Sequence, residues 1–384
     1  MADKPRVLIV AGPDVDARIE LMKLLSSEFA MEAAGSSTEI APKFEKAGFP
    51  YYAYGMERTA TPLSDFKTRK NLEELFARVR PDLVHTFDTK PCVWGRLAAA
   101  SVGIPAVMGT ITGLGALFTD TDIKTRIIRT LYTPLQKRAC RVSHATIFYN
   151  HDDMDAFIRM GVVSSATASV IPGSGVQTER FSTDKFAPEE QAKLRKEIGI
   201  QPDEIVITMI TRVFRAKGVM EYVEAAERMK KTHPKVRFVL VGGLDTEVAD
   251  RLNSTEVERM KQAITWLGSR KDVAALLSIS HIGVLPTYYR EGIPRVLLES
   301  ASLGLPLITT DTPGCKEVVR TGENGILIPP RSVDALQKAV IEIADNPALR
   351  QKYGEASRQR ALSEFALPII AEKNAQVYRR LLKR

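Results

Sequence analysis

Two parallel α/β domains are the fold that this sequence predicts, on three observations. Its 384 residues exceed what one ordinary core organises and suit two domains of under about 200 residues each. Short apolar runs rich in Val and Ile alternate with segments of helical period along the chain, and runs without polar alternation are strands buried on both faces of a parallel sheet. The runs end in glycine, proline or polar loops, the edge on which open parallel sheets hold ligands.

Composition narrows the classes. With 44% hydrophobic and 26% charged residues the chain is globular, neither disordered nor fibrous. A net charge of +8 and a pI of about 9.3 imply a basic face for anionic lipid, a phosphorylated substrate or nucleic acid. The excess is spread along the chain without aromatic stacking motifs or a helix-turn-helix pattern, which argues against nucleic acid. Cys92, Cys140 and Cys315 are odd in number and form no C-x-x-C pair, so a reducing compartment is expected and neither disulfides nor a zinc site. Met1-Ala2-Asp3-Lys4-Pro5-Arg6 leads straight into a strand, and no run of about 18 apolar residues follows. A cytosolic protein, soluble or peripheral, is the expectation.

Residues 6–12 form the first strand, and Ile19, Met22, Leu25 and Phe29 continue at helical spacing over 16–29. No G-x-G-x-x-G follows, so the dinucleotide fingerprint is missing. Asp14-Val15-Asp16 has the letters of a D-x-D metal motif, but it follows Gly12-Pro13 and reads as loop or helix capping. Strands are expected at 83–87 and 105–109 with a helix over 93–102 between them. Their exits make His85, Thr86, Asp88, Lys90, Thr110, Thr112, Gly113 and Gly115 candidates for a binding rim. His85 reads equally as a hydrogen-bonded histidine at a strand end.

Over 122–142, Ile123, Ile127, Ile128, Leu131, Tyr132 and Leu135 fall on one half of a helix and Arg126, Arg129 and Lys137 on the other, with Lys124 and Arg138 inside the apolar half. Two readings stand: a core-packed helix with a solvated basic back, or one lying in a membrane interface with snorkelling cations. A strand at 145–150 and a helix at 152–159 precede Pro172-Gly173-Ser174-Gly175, whose glycines allow the chain to cross between domains somewhere in 172–187. The second domain repeats the alternation, with strands at 205–210, 236–241, 263–266, 282–285, 306–309 and 325–328 and helices at 218–232, 273–277, 295–303 and 333–344. A helical segment over 368–382 closes the chain.

Chemistry concentrates after the strand at 282–285. Pro294 suits the first helical position, and the free amides of that first turn, at the positive end of the dipole, hold phosphate well. Helical rise puts Glu291 and Glu299 about 8–12 Å apart, too far for a shared proton or one metal but suited to hydroxyls on either side of a diphosphate. The alternative is two solvated helix-end carboxylates favoured by the dipole. At another strand mouth stand Arg212 and Lys217.

Arg212-x4-Lys217-Gly218, Val241-Gly242-Gly243, Trp266-Leu267-Gly268 and Glu291-x7-Glu299 with Gly304-x-Pro306, in that order across 205–330, resemble the signature of retaining, nucleotide-sugar-dependent glycosyltransferases of family four. Tyr289-Arg290-Glu291-Gly292-Ile293-Pro294-Arg295, with Ile111-Thr112-Gly113-Leu114-Gly115, looks closer still to the branch that adds an N-acetylhexosamine or related sugar to a polyprenyl-diphosphate-linked saccharide.

The resemblance implies a GT-B fold: two Rossmann-like α/β domains facing a central cleft, residues 1–178 binding acceptor and 179–366 binding nucleotide sugar, with a helix over 367–384 crossing back to the first domain. Arg212 and Lys217 would then take the charge of the leaving diphosphate, Glu291 a hydroxyl of the donor sugar and Glu299 the ribose. Backbone at Gly292, Ile293 and Arg295 would complete the phosphate cradle, and Gly268, Pro286 and Thr287 would approach the base. His85, Lys90, Thr110, Thr112 and Gly113 would face the acceptor. Where relatives carry a histidine near the donor sugar, this chain has Thr110 or Thr112. UDP-sugar would be the donor, with no metal or other cofactor. Retention implies front-face displacement with the leaving phosphate as proton acceptor, so no general base is named. Partners would be a lipid-linked saccharide in bacterial glycan assembly and the cytoplasmic membrane face, met peripherally through 122–142 and the basic end Arg379, Arg380, Lys383 and Arg384. A soluble sugar or phospholipid acceptor, and a non-catalytic nucleotide-sugar sensor, are the competing readings.

Overall fold

A computed structural model describes residues 4–57, 61–115, 118 and 123–383, without the side chains of Pro62 and Lys124. Met1 to Asp3, Asp122, the Lys124 side chain and Arg384, which entered the reading above, lie outside the described residues. The chain divides into one unit of residues 1–174 with 367–384 and a second of 175–366. The first crossing thus falls at Ser174–Gly175, inside the 172–187 span read from the sequence and ahead of the 178/179 boundary that the resemblance implied.

In the first unit, β1 (Arg6–Val10), β2 (Ala30–Gly35), β3 (Tyr51–Ala53), β4 (Leu83–Phe87), β5 (Ala106–Ile111), β6 (Ala145–Phe148) and β7 (Ala168–Val170) pair in parallel in the order β3-β2-β1-β4-β5-β6-β7. In the second, β8 (Ile205–Ile210), β9 (Val236–Val241), β10 (Thr265–Trp266), β11 (Ile282–Leu285), β12 (Leu307–Thr310) and β13 (Gly325–Ile328) run in the order β10-β9-β8-β11-β12-β13, again parallel. The apolar runs are central strands because both their faces are buried: Leu8, Ile9, Val206, Ile207, Ile282 and Leu307 are fully covered. Strand order reverses between β1 and β4 and between β8 and β11. Loops leave in opposite directions there and open a crevice at the strands' carboxyl ends.

The helix Leu367–Leu382 belongs to the first unit, with Ile370, Tyr378 and Leu381 in one apolar cluster with Val7, Ile9 and Leu83. Its basic end is partly engaged: Arg379 bonds Glu28 at 2.5 Å and Glu372 at 3.0 Å. The helix Ile123–Arg141 meets the core-packed alternative in part only. Ile123, Ile127 and Leu131 are 76%, 56% and 66% exposed, whereas Gln136, Ala139 and Cys140 face inward. Only the lower part of the expected stripe, Tyr132 and Leu135, packs against Val93 and Leu97. No helix among the described residues is long and apolar enough to cross a membrane.

Candidate functional site

The second unit's switch point brings Arg212, Lys217 and Glu291 onto adjoining loops. Past β8, Thr211 to Lys217 turn through a short 3-10 helix, Arg215–Lys217, that closes on Gly218 at φ 78°. A side chain at Gly218 would collide with the Pro286 carbonyl, so this glycine lets the β8 loop lie directly on the β11 loop. The two are then tied by the Ala216 carbonyl, which accepts from the amides of Tyr288 (2.9 Å) and Tyr289 (3.0 Å) and the Thr287 hydroxyl (3.1 Å). Gly242, at φ 144°, brings the β9 exit against Thr211 in the same way.

On this frame Lys217 is buried, with its ammonium 4.7 Å from the Tyr289 ring centroid and 5.5 Å from that of Phe214. It pairs with the Glu291 carboxylate, and the two side chains are only 10% and 15% exposed. Arg212 lies over the same Phe214 ring at 5.2 Å and pairs with Asp245 at 2.5 Å, its own side chain 62% exposed. One aromatic ring thus carries two cations at the mouth of β8. A partly desolvated ammonium and a planar guanidinium suit phosphate oxygens, one as a point charge and the other as a two-pronged donor.

Glu299 sits in the helix Arg295–Ser302, 3.6 Å from Arg295. Burial holds its carboxyl above the ordinary glutamate range, with Arg295 and Arg180 pulling the other way. Pro294 departs from the reading above: it is extended, at φ −69° and ψ 113°, and precedes the helix instead of beginning it. Arg295 and Val296 therefore supply the first amides without an intrahelical acceptor. Gly292 and Ile293 are buried just before them. Thr287 is fully buried and spent on the Ala216 carbonyl and the Tyr289 amide, and Pro286 offers its carbonyl to the Gly218 contact. Gly268, at φ 63°, accepts from the Gly242 amide at 2.8 Å; the Trp266 indole donates to the Gly242 carbonyl at 2.8 Å.

Sequence reasoning missed three parts of this arrangement. Asp245 orients Arg212 from the β9 exit. Phe214 and Tyr289 flank Lys217. Gly314 has a φ of 80° and packs where any side chain would strike the Glu291 and Gly292 carbonyls. The dipeptide Pro313-Gly314 was a readable turn signal; no pattern marks Asp245.

In the first unit the expected rim is less open. His85 is fully buried in β4, with its ring nitrogens 2.7 Å from the Tyr378 hydroxyl and 2.7 Å from the Thr110 hydroxyl. Burial pushes its pKa down to about 3. Of the two readings of His85, this geometry is that of the hydrogen-bonded histidine, and Thr110 goes with it. Lys90 is held by Asp65 at 2.9 Å and the Glu57 carbonyl at 2.8 Å. Thr112 and Gly113, half-buried beyond β5, remain at the rim. Asp88 is at φ 63° and accepts from the Gly12 amide at 3.0 Å across the switch point. Asp14 precedes a short 3-10 helix, Val15–Arg18, without a side-chain cap, and Asp16 pairs with Lys43 at 2.5 Å. Among the described residues no group of three or more metal-ligating side chains forms.

Comparison with known proteins agrees with this frame. Residues 190–360 match the model of "Glycosyl transferases group 1" and residues 12–173 that of "Glycosyl transferase 4-like domain". The chain is 30% identical over 298 residues to the Escherichia coli UDP-Gal:alpha-D-GlcNAc-diphosphoundecaprenol alpha-1,3-galactosyltransferase, covering 76% of this chain and 74% of that protein. It is 27% identical over 349 residues to the Campylobacter jejuni N,N'-diacetylbacillosaminyl-diphospho-undecaprenol alpha-1,3-N-acetylgalactosaminyltransferase, covering 90% and 89%. In fold it resembles a glycosyltransferase from Rickettsia africae (TM-score 0.80, 18% identity, 99% of each chain) and Anabaena HepE solved with UDP-glucose (TM-score 0.80, 18% identity, 97% and 99%). Two parallel α/β units, switch-point loops bearing Arg212, Lys217 and Glu291 with Glu299 in the helix that follows, and these matches across both halves make the chain a member of the glycosyltransferases that join a group 1 domain to a 4-like domain in the GT-B fold.

Proposed function

We propose that this glycosyltransferase moves a hexosamine-type sugar, with retention, from a UDP-sugar to a polyprenyl-diphosphate-linked saccharide at the cytoplasmic membrane face. The observation that carries the donor half is the Phe214 ring bearing both Arg212 and Lys217, with Glu291 drawn to Lys217. In the reaction the bond from the sugar's C1 to the phosphate oxygen breaks on the face where the bond to the acceptor oxygen forms. The departing phosphate takes the acceptor's proton, and Arg212 and Lys217 receive the diphosphate's new charge in place of a metal. Glu291 is then the acceptor of a donor-sugar hydroxyl and Glu299 of the ribose hydroxyls. The undecaprenyl-diphosphate substrates in the names of the E. coli and C. jejuni relatives support the acceptor class, and HepE's complex with UDP-glucose supports the nucleotide.

For the membrane, the supporting feature is the exposed stripe Ile123, Ile127 and Leu131 beside exposed Arg126, an apolar edge with a cation at headgroup height. A panel of UDP-sugars with UDP release as readout, run with and without a polyprenyl-diphosphate sugar in anionic vesicles, tests the whole reading. One UDP-hexosamine should turn over only with lipid-linked acceptor, and Ile127→Glu should reduce vesicle flotation. Equal turnover with water-soluble sugars would move the acceptor class, and donor binding with neither transfer nor hydrolysis would leave a sensor.

A further inference from the structure

We propose that Arg331 is a positioning residue for the donor site, whose side chain, set on a left-handed backbone, clamps the loops bearing Lys217 and Glu291 from a third strand end. It rests on the donor-site reading above. Arg331 follows Pro329-Pro330 out of β13 and has φ 59°, the left-handed region that an L side chain disfavours and glycine accepts. Two other described non-glycine residues share this sign of φ, and each has a local reason. Arg80 ends the helix Pro62–Val79, and Asp88 turns its carboxylate to the Gly12 amide. Arg331 turns the chain into the Ser332 cap of the helix Val333–Ala344, and the same turn carries its guanidinium to Tyr288. The group stacks 4.3 Å from the centre of the half-buried Tyr288 ring.

Its charge also acts on Glu221, in the first turn of the helix Val219–Met229. Burial raises the Glu221 carboxyl above its ordinary range and Arg331 opposes that rise. The Tyr288 hydroxyl is likewise pushed up by burial and by Glu221, with Arg331 again opposing. Tyr288 and Tyr289 are the residues whose amides close on the Ala216 carbonyl, and the Tyr289 ring supports Lys217. Arg331 therefore holds the tyrosine pair that precedes Glu291 through the Tyr288 ring, with its charge drawn toward the start of the helix that follows Lys217. Backbone strain held at one loop while two others are fixed is a recurrent mark of a preorganised site.

Arg331→Gly separates positioning from stability because it relieves the backbone while removing the clamp. The expected result is a melting temperature that is unchanged or raised, a fall of about tenfold in kcat/KM for the UDP-sugar, and UDP affinity kept within about twofold, since a small displacement penalises the reacting geometry more than ground-state binding. Arg331→Lys, which keeps a cation over the ring, should recover part of the loss. Independently of catalysis, the Tyr288 and Tyr289 amides should exchange with deuterium faster in Arg331→Gly. If that exchange is unaltered, or if kcat/KM stays at the wild-type level, the clamp is refuted. Loss of activity only in proportion to a lowered melting temperature would likewise reduce Arg331 to a fold-stabilising residue. A wild-type protein that turns over no UDP-sugar would refute the donor reading instead, and the exchange measurement would still decide the clamp.

Discussion

Replacement of Lys217 by methionine should lower kcat for sugar transfer about 10²–10³-fold, the usual consequence of losing one fixed charge aimed at a developing anion. Methionine nearly matches the lysine stem in length, so apolar bulk stays beside Phe214 and Tyr289 while the ammonium and its approach to the two rings go. The loss has a second component, because Glu291 is left in a place that water barely reaches. Breaking a buried pair on one side is worse than deleting both partners. Lys217→Met should therefore be less stable than wild type, and Lys217→Met/Glu291→Gln should regain stability without regaining activity. Urea melts and initial rates on the three proteins check this. A double variant as active as wild type would remove both residues from the reaction.

Gly242→Ala is expected to unfold the second unit at much lower urea. The residue holds φ 144°, and a methyl group there would overlap the Thr211 carbonyl. Neither partner is a flexible side chain that can swing aside, since both are main chain at adjoining strand exits. Adding backbone strain to forced displacement gives a cost of about 3 kcal/mol or more, a large part of any domain's stability. The first unit contains none of these atoms. Two probes, one per unit, should show the second-unit transition move while the first stays in place. Coincident shifts would mean that the units unfold together, and no shift would refute the steric argument.

These two positions mark what was legible in the chain. Lys217 and Gly242 belong to short motifs at strand-to-helix mouths, where a strand's apolar run fixes where the loop begins and the topology fixes which loops meet. The strands β8, β9, β11 and β13 were readable for the same reason, each an apolar block between breakers. Ala30–Gly35 was not, because Ala-Met-Glu-Ala-Ala-Gly has no β-branched residue and becomes a strand only through burial beside β1. Distance in the chain hid the rest. Tyr378 comes to His85 from the far end of the sequence, and Asp245 and Arg331 reach their partners from other strand exits. The stripe over 122–142 was visible as a pattern, but its outward direction was set by what it packs on, and periodicity carries no such information.

The Trp266 indole, donating to the Gly242 carbonyl just before Gly268 in the chain, gives this protein a built-in optical reporter. Trp94 and Trp266 are its two tryptophans, one in each unit. With Trp94→Phe, tryptophan emission would come from the second unit alone. A pyrimidine base arriving beside Gly268 should quench it as UDP is titrated, turning donor affinity into a fluorescence curve; a flat curve would move the base away from that rim.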